Sequence, residues 1–507
     1  MRLALLLFAA AALICGVAAM YGIQPNDEGL MLQAAARIAA GQSPYDDFWW
    51  FYPPGQAVLL GALWAALGPS LLTWKVVRAL AAGAVALLAW KLARRGGAPG
   101  WAAGLAWLAS TFALAFPSGP HPFPITLALC LGVLLCLERP GLAGALTGAA
   151  AFWRLEFAAY LVVGALLAYA LREVDDRVRA AARYLAAAAG VAAALLAPFV
   201  AMAGPAAAFE LLIRYPLLDF GDYQSLPFPL DYDGPLNTGS PGGFLSDSAE
   251  SLALFYLPLV LVVALAGALA AGVLAFRRDE WWRIAVAVFS LGMLHYLLAR
   301  TDAFHTAPLA VMVAVLAAWA APALKRHSPR LAAGAATLAL AGLAFAVLEG
   351  GDRFWLLLRG GGTPLALPVA DGVRVPAAQA RVLEETVRAI QARVAPGEPI
   401  YVVPRRSDRV TAGNPLLYVL AGRPNPTRYD IQAPGVVTSE QVQREVVADL
   451  RRVRPLVVVR DTSPVTAARE PNASGRSSGV TLLDEYLSGA YRETERYGPL
   501  VILVPRG

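Results

Sequence analysis

Long apolar segments alternate with short polar ones over the first two thirds of the chain. Many of the apolar segments approach the ~20 residues that an α-helix needs to cross a bilayer. In chain order they cover residues 3–21, 72–92, 101–116, 123–137, 142–171, 181–203, 252–276, 284–298, 303–324 and 331–348. Segment 142–171 is long enough for two short helices, and Trp153-Arg154-Leu155-Glu156 interrupts its middle. The pattern predicts about eleven membrane-spanning helices.

Basic residues test this topology, because short cytoplasmic loops are enriched in Arg and Lys. With that number of spans and a cytoplasmic start, every basic group beside a span falls on the cytoplasmic side. These groups contain Arg2, Lys91, Arg94, Arg95, Arg139, Arg172, Arg177, Arg179, Arg277, Arg278, Lys325, Arg326 and Arg330. A single helix over 142–171 would place the later basic groups on the outer side of the membrane. The charges therefore favour a helical hairpin at Arg154. Residues 3–21 could instead be a cleaved signal peptide, but a retained helix agrees better with the membrane segments that follow.

From residue 350 onward, spanning segments stop and helix-like stretches alternate with strand-like ones. Helices are predicted over 376–394, 439–453 and 481–487, and short buried strands over 399–403, 455–460 and 499–504. We therefore expect an α-helical polytopic membrane protein with a small C-terminal α/β domain. The predicted units are a transmembrane catalytic domain, residues 1–349, and an extracytoplasmic domain, residues 350–507. The former carries a first outer loop, 24–71, and a long outer loop, 204–250.

Composition agrees with this class. Of the 507 residues 58% are hydrophobic and only 15% are charged, which excludes an ordinary soluble protein. The formal net charge of +6 is small, and we expect no nucleic-acid partner. The expected location is the cell membrane, with multiple spans and the C-terminal domain outside.

Polar residues near apolar segments are the first candidates for a functional site, because they are costly in a membrane. The predicted topology places a set of them on the outer face, in separate loops. The set contains Asp27, Glu28, Asp46, Asp47, His121, Arg154, Glu156, Arg300, Asp302 and His305. We expect these loops to converge.

Asp27 and Glu28 directly follow the first apolar segment. Adjacent residues of a helix point about 100° apart, so one acid can face a cavity while the other supports it. The functional interpretation is a general base or a metal ligand. The structural alternative is a helix cap, with Asn26 or Asp27 at the start of the amphipathic stretch 29–40. Both interpretations are open at this point.

Two arginines have similar alternatives. Arg300 and His305 suit a phosphate oxyanion, because Arg offers a planar fork of donors that keeps its charge. Arg300 could equally pair with Asp302 and close the turn. Arg154 and Glu156 are either part of a site or a structural ion pair.

Aromatic residues fill positions 48–52, directly before Pro53-Pro54-Gly55. We interpret them as an interfacial belt, with a rim that guides a lipid or a sugar as the alternative. The Pro-Pro-Gly sequence ends one element and starts another. His121 lies in a proline-rich sequence, where a rigid turn explains it as well as a substrate contact does.

A family resemblance rests on motifs in the first half of the chain. Asp27-Glu28 is followed by Gly41-Gln42-Ser43-Pro44-Tyr45-Asp46-Asp47-Phe48, then by Tyr52-Pro53-Pro54-Gly55 and Trp74-Lys75-Val76-Val77-Arg78. This order resembles the GT-C superfamily of membrane glycosyltransferases. It looks most like bacterial relatives of the dolichyl-phosphate-mannose protein mannosyltransferases (glycosyltransferase family 39-like) and the lipid A aminoarabinose transferases.

The resemblance implies that a sugar moves, with inversion, from a polyprenyl-phosphate donor to a hydroxyl of a lipid, glycan or protein acceptor. Asp27 matches the essential acid of the family and would be the general base. Arg154, Arg300 and His305 would neutralise the leaving phosphate. Substrate contacts or support would come from Glu28, Asp46, Asp47, Tyr52, His121, Glu156 and Asp302. Some relatives use a divalent cation, so Mg or Mn held by Asp27, Glu28 or His305 is open.

Two other classes of function compete with this one. A secondary transporter or lipid flippase would line a path with the same charges, and a non-catalytic scaffold for envelope assembly would keep only the fold. The charges cluster at one face and no inverted repeat is recognisable, which weighs against transport. We expect the outer domain that begins at residue 350 to help select the acceptor, because it lies beside the site and its loop 425–430 is polar and rigid, with a stabilising cap as the alternative.

Overall fold

Apolar helices form the body of the molecule. The computed structural model describes residues 1–115, 119–172, 176–274, 277–327, 356 and 359–506. The helices of the body are α1 (Arg2–Ala19), α2 (Asp27–Ala39), α3 (Gly55–Leu67), α4 (Leu71–Arg95), α5 (Gly100–Ala115), α6 (Phe123–Cys136), α7 (Pro140–Ala151), α8 (Leu155–Ala170), α9 (Arg177–Ala203), α10 (Pro205–Phe209), α11 (Gly221–Gln224), α12 (Pro241–Asp247), α13 (Ala249–Leu274), α14 (Trp282–Ala299) and α15 (Ala303–His327). A π-helical stretch, Glu210–Asp219, joins α10 to α11.

Every predicted spanning segment up to residue 327 contains an apolar helix. Segment 142–171 is divided as predicted, because α7 ends at Ala151 and α8 begins at Leu155. Within the described ranges, α1, α4, α9, α13 and α14 are long and apolar enough to cross a bilayer, and α3, α5, α6, α8 and Phe304–Ala320 are shorter apolar helices. The predicted segment 331–348 and the predicted domain boundary at 349 lie outside the described residues.

Local signals explain several helix ends. The Oγ of Ser70 accepts a hydrogen bond from the backbone N of Leu72 (3.2 Å) and caps α4. Pro140 is the first residue of α7, a position that needs no backbone N–H. Gly68 ends α3 with a φ of 85°.

The first outer loop contains α2, which was predicted as an amphipathic stretch, and α3, which was not. The two helices pack against each other. An ideal Cβ at Gly29 would lie 2.2 Å from the backbone N of Leu416, so α2 approaches the C-terminal domain at a point that only glycine fits.

The C-terminal domain is a small α/β structure. Its elements are β1 (Thr363–Pro364), β2 (Arg374–Val375), α16 (Ala377–Gln391), β3 (Tyr401–Pro404), α17 (Leu416–Ala421), α18 (Glu440–Val453), β4 (Val458–Asp461), α19 (Leu482–Ala490), β5 (Tyr491–Tyr497) and β6 (Leu500–Pro505). The strands β3-β4-β6-β5 form one sheet, in which β3 and β4 are parallel and the other pairs antiparallel. Helices α17 and α18 lie in the crossover between the two parallel strands.

The predicted α/β character is confirmed. The predicted strands correspond to β3, β4 and β6, and the predicted helices to α16, α18 and α19. The sequence analysis missed β5, whose residues Arg492, Glu493, Glu495 and Arg496 are charged. Charged side chains are common at a sheet edge, where β5 lies, and they hide the alternation expected of a strand.

The C-terminal domain and the first outer loop share a hydrophobic core. Ile23, Leu32 and Trp74 are buried in one cluster with Leu383 of α16 and Ile502 of β6. The C-terminal domain therefore packs directly on the start of the chain.

The interfacial-belt interpretation of residues 48–52 is wrong. Phe48 and Trp50 are 0% exposed and belong to a core that also contains Tyr401 and Val403 of β3. The backbone N of Trp49 donates to the carbonyl of Arg428 (2.9 Å). These aromatic residues fill the interface with the C-terminal domain, a long-range contact that no local pattern indicates.

Candidate active site

Polar side chains from separate segments meet where the helical body faces the C-terminal domain. Asp27 lies close enough to Arg300, Asp302 and His305 for their charges to affect its ionisation. Tyr52 interacts in the same way with Asp27 and Arg154, and His121 with Arg154, Asp302 and His305. We call this set the polar cluster. It comprises Asp27, Tyr52, His121, Arg154, Glu156, Arg300, Asp302 and His305.

Asp27 is the first residue of α2 and is half-buried. The Nδ2 of Asn26 donates a hydrogen bond to its Oδ1 (3.0 Å). Burial raises the pKa of Asp27, and the charge of Asp302 adds to this, whereas Asn26, Arg300 and His305 oppose it. The net shift is upward, so this carboxylate is a stronger base than an ordinary aspartate.

Glu28 faces a different part of the molecule. Its side chain is 1% exposed, and its Oε1 accepts from the Nε1 of Trp74 (2.8 Å) while its Oε2 accepts from the backbone N of Gln24 (3.0 Å). The Nζ of Lys75 lies 3.9 Å from Oε1. Glu28 therefore ties α2 to α4 and lies outside the polar cluster.

Asp302 organises the loop between α14 and α15. Its Oδ2 accepts from the Nε of Arg300 (2.8 Å), and its Oδ1 is bonded to the backbone N (3.0 Å) and the Nδ1 (2.7 Å) of His305. Burial raises the pKa of Asp302, but the bonds to His305 and the charge of Arg300 outweigh burial and lower it to about 2. Because Nδ1 of His305 faces Asp302, a substrate contact by this imidazole would use Nε2.

Arg300 also reaches the C-terminal domain. Its Nη2 and Nη1 donate to the two carboxylate oxygens of Glu470, at 3.1 and 3.3 Å, and Nη1 donates to the carbonyl of Gln224 (2.7 Å). The side chains of Arg300 and Glu470 are each 21% exposed. Arg300 was predicted to bind a phosphate. In this structure its guanidinium forms a bidentate pair with the carboxylate of Glu470 instead.

Arg154 lies directly before α8. Its Nε donates to the Oε1 of Glu156 (2.5 Å), and its guanidinium lies 5.0 Å from the ring centre of Tyr296. The Tyr296 ring in turn lies 4.4 Å from the ring of His305. Tyr296 therefore connects two of the predicted phosphate-binding residues.

His121 packs its ring 4.1 Å from Phe304. Its Nε2 is buried and has no hydrogen-bond partner among the described residues, and the same is true of the Oε1 of Gln24. An ideal Cβ at Gly119 would lie 3.0 Å from that Nε2 and 3.6 Å from that Oε1, so both atoms lie close to Gly119. Burial, assisted by nearby cations such as Arg78, lowers the pKa of His121 to about 3, which keeps the ring neutral.

The remaining predicted residues divide between two places. Asp46 and Asp47 are exposed, and the Oδ2 of Asp47 accepts from the backbone N of Ser43 (2.6 Å) and closes a turn. Tyr52 belongs to the polar cluster. Burial raises the pKa of Tyr52 although Arg154 opposes the shift, so its hydroxyl stays protonated and can donate a hydrogen bond.

Several residues of the site were absent from the sequence-based set. Asn26 was considered only as a cap, and Tyr296, Gln224 and Glu470 were not considered. Tyr296 had a detectable signal, because it is a polar-tipped residue one helical turn before Arg300 in an apolar segment. Glu470 had none, since it lies 170 residues from its partner.

The structure bears on whether Asp27, Glu28 and His305 could hold a divalent cation together. Within the ranges that the structure describes, no three His, Cys, Asp or Glu side chains are arranged to hold a metal ion. The carboxylate of Glu28 is hydrogen-bonded to Trp74 of α4, so it faces away from Asp27 and His305. The present geometry therefore does not fit that ligand set, and no step below uses a metal.

No protein-family model and no curated protein matches the chain. Solved structures do share its fold. The crystal structure of ArnT from Cupriavidus metallidurans bound to undecaprenyl phosphate has a TM-score of 0.56 at 13% identity, over 98% of this chain and 97% of that one. The Archaeoglobus fulgidus oligosaccharyltransferase, in complex with Zn and sulfate, has a TM-score of 0.53 at 13% identity, over 98% of this chain and 72% of that one. The arabinofuranosyltransferase AftD from Mycobacteria has a TM-score of 0.51 at 16% identity, over all of this chain but 40% of that one.

With the apolar helices described above, these similarities indicate that the protein is a multi-pass helical membrane protein with a small C-terminal α/β region. The fold is the one that these three solved structures share, and it agrees with the GT-C resemblance of the sequence motifs.

Proposed function

We propose that the protein is a membrane glycosyltransferase that moves a sugar from a polyprenyl-phosphate donor to an acceptor hydroxyl, with Asp27 as the general base. One observation carries the proposal: a half-buried carboxylate with a raised pKa lies beside Arg300 and His305 in a GT-C fold. ArnT, which shares the fold, binds undecaprenyl phosphate.

In the proposed reaction, the acceptor O–H gives its proton to Asp27 while its oxygen attacks the anomeric carbon. The new carbon–oxygen bond forms opposite the bond to the donor phosphate, which breaks, and its electron pair leaves with the polyprenyl phosphate. The configuration is inverted. The raised pKa of Asp27 supports this role, because a stronger base takes the proton more readily.

The leaving phosphate would be stabilised by Arg300, Arg154 and His305. Both arginines are paired with carboxylates, Glu470 and Glu156 respectively. Arg binds a phosphate and a carboxylate through the same fork of N–H groups, so we infer that the donor phosphate replaces Glu470 on Arg300. The exchange replaces one anion by another, so the Arg300 guanidinium keeps a negatively charged partner.

Unpaired polar atoms support a polar ligand in the same place. Buried hydrogen-bonding groups without a partner are costly, and they commonly mark a site that a ligand or water completes. The Nε2 of His121 and the Oε1 of Gln24 are such groups. We propose that a sugar hydroxyl bonds to one or both of them.

We infer from the distribution of Arg and Lys that the polar cluster and the C-terminal domain lie on the extracytoplasmic side. A donor would then reach Asp27 from the outer leaflet.

The test uses the purified full-length protein in lipid nanodiscs, with a panel of undecaprenyl-phosphate-linked pentoses and hexoses and an envelope lipid extract as acceptor. Free undecaprenyl phosphate is measured by mass spectrometry, with and without Mg or Mn. Asp27→Asn keeps the size of the side chain and removes the base, so we expect transfer to fall by about 100-fold or more. Asp371→Asn, at an exposed carboxylate of the C-terminal domain, is the matched control and should be unchanged.

Two results would count against the proposal. Undiminished transfer by Asp27→Asn would remove the assignment of the base. A wild-type protein that releases no undecaprenyl phosphate from any donor, yet moves labelled lipid across a vesicle bilayer, would favour a flippase.

A further inference from the structure

Asn26 connects Asp27 to the C-terminal domain. Its Oδ1 accepts a hydrogen bond from the backbone N of Gly413 (3.1 Å), and its Nδ2 donates to the Oδ1 of Asp27 (3.0 Å). A backbone N–H can only donate, so the Gly413 contact fixes which end of the Asn26 amide is the oxygen. The NH2 group must then face Asp27.

The usual explanation for an asparagine at this position is a helix cap, and it does not apply here. Asn26 directly precedes α2, but its side chain makes no capping hydrogen bond and its backbone is helical, with a φ of −82° and a ψ of −70°. A capping residue normally has an extended backbone and accepts from an N–H of the first turn. The polar atoms of this side chain are used for Gly413 and Asp27 instead.

The Gly413 amide is held in place by its surroundings. The next residue, Asn414, donates through Nδ2 to the Oδ2 of Asp461 at the end of β4 (2.7 Å). Two residues further on, the backbone N of Leu416 donates to the carbonyl of Pro25 (3.3 Å). Asn26 is therefore bonded to a segment that is itself tied to the sheet and to the start of α2.

We propose that Asn26 is a positioning residue for Asp27, through which the C-terminal domain orients the general base. By holding Oδ1 of Asp27, Asn26 leaves Oδ2 to take the proton of the acceptor. This inference rests on the proposed function, because it assigns Asn26 a role in the proton transfer that Asp27 performs.

The test compares Asn26→Asp with the wild type in the transfer assay. Aspartate has nearly the same shape and still accepts from Gly413, but when ionised it cannot donate to Asp27. We expect kcat to fall about tenfold or more, since a hydrogen bond to a charged group is lost, while the KM for the donor changes less than about twofold. Asn26→Ser, an uncharged variant whose shorter side chain carries a single hydroxyl, should also lower kcat. The unfolding temperature of Asn26→Ser should stay close to that of the wild type, whereas Asn26→Asp places a second carboxylate beside Asp27 and should lower it.

The outcomes separate this inference from the proposed function. If the wild type transfers sugar, Asp27→Asn does not, and Asn26→Asp keeps the wild-type kcat, the positioning role is overturned and the proposed function stands. A higher KM at unchanged kcat would also overturn it, because Asn26 would then contact the substrate. Should Asn26→Asp fold poorly, full activity of a stable Asn26→Ser would overturn it. If the wild type has no transfer activity, both proposals fall together.

Discussion

Two arginine–carboxylate pairs join the C-terminal domain to the membrane body, and they differ in burial. Arg37 of α2 pairs with Asp430 at 2.5 Å between Nε and Oδ2, and these side chains are 7% and 4% exposed. Arg300 pairs with Glu470 at 3.1 Å, and each of these side chains is 21% exposed. The first pair lies in the packed interface and the second in the polar cluster.

Hydrogen bonding enlarges the difference. The Oδ1 of Asp430 also accepts from the Nδ2 of Asn425 (2.8 Å) and the Nε2 of Gln33 (3.3 Å), and Arg37 donates to the carbonyl of Thr427. A buried pair with its remaining groups satisfied holds one geometry. The Arg300–Glu470 pair is partly exposed, and we propose that an incoming anion replaces its carboxylate. The contrast distinguishes a contact that docks the domain from one that we propose to change during the reaction.

That the C-terminal domain helps select the acceptor stays a prediction, but its loop 425–430 does not support it. Asn425, Thr427 and Asp430 are buried against α2. Their polar side chains serve the interface.

The largest expected effect comes from breaking the buried pair. Asp430→Ala leaves the charge of Arg37 buried without its carboxylate, so we expect a loss of about 3–5 kcal/mol of stability. The loss is measured as a lower unfolding midpoint in denaturant, together with earlier proteolysis of the C-terminal domain. Arg444→Ala breaks the exposed pair with Glu440, whose side chains are 68% and 58% exposed, and should cost less than about 1 kcal/mol. Equal losses of stability in Asp430→Ala and Arg444→Ala would contradict the claim that burial makes the Arg37–Asp430 pair important for docking.

Much of the fold could be predicted because it depends on local patterns. Hydrophobic length indicated the spans, and the basic residues indicated the hairpin at Arg154. The convergence of Asp27, Arg154 and Arg300 followed from topology, since loops on one side of a bundle meet at one end. These inferences needed only the order of apolar and charged residues along the chain.

The partners within the site could not be predicted, because they depend on how the C-terminal domain docks. Glu470 reaches Arg300 across 170 positions, and Gly413 reaches Asn26 across 387. The aromatic residues Phe48 and Trp50 have the composition of a membrane interface but are buried by the same docking. Sequence patterns report the surroundings that a segment prefers, and they do not identify a specific distant partner.

The next effect in size should come from the Arg300 side of the exposed pair. Arg300→Gln removes charged hydrogen bonds that we assign to the donor phosphate, so the KM for the donor should rise about tenfold or more. Stability should fall less than in Asp430→Ala, because Arg300 and Glu470 are partly exposed. The measurement is the transfer rate against donor concentration, beside an unfolding curve. If Arg300→Gln has the same KM for the donor as the wild type, Arg300 does not bind the donor phosphate.

A smaller effect of opposite sign is expected at Glu470. Glu470→Gln removes the carboxylate that competes with the phosphate for Arg300, so the KM for the donor should fall about threefold, which corresponds to less than 1 kcal/mol. Added salt should weaken the difference, since it screens partly exposed charges. If the KM rises instead, Glu470 is itself part of the donor site.

The smallest expected effect is a shift in the pH dependence of transfer. Asp27 acts as a base only when ionised, and burial raises its pKa, so activity should decline on the acid side at a higher pH than an ordinary aspartate would give.

The charge of Arg300 lowers the pKa of Asp27, and Glu470 partly neutralises that charge. Glu470→Gln should therefore move the acid limb of kcat/KM to lower pH by a few tenths of a unit. Asp430→Asn alters the other pair and should leave the limb where it is. A shift of equal size in both variants would mean that the docking pair also reaches the base, and the two contacts would then differ in burial but not in function.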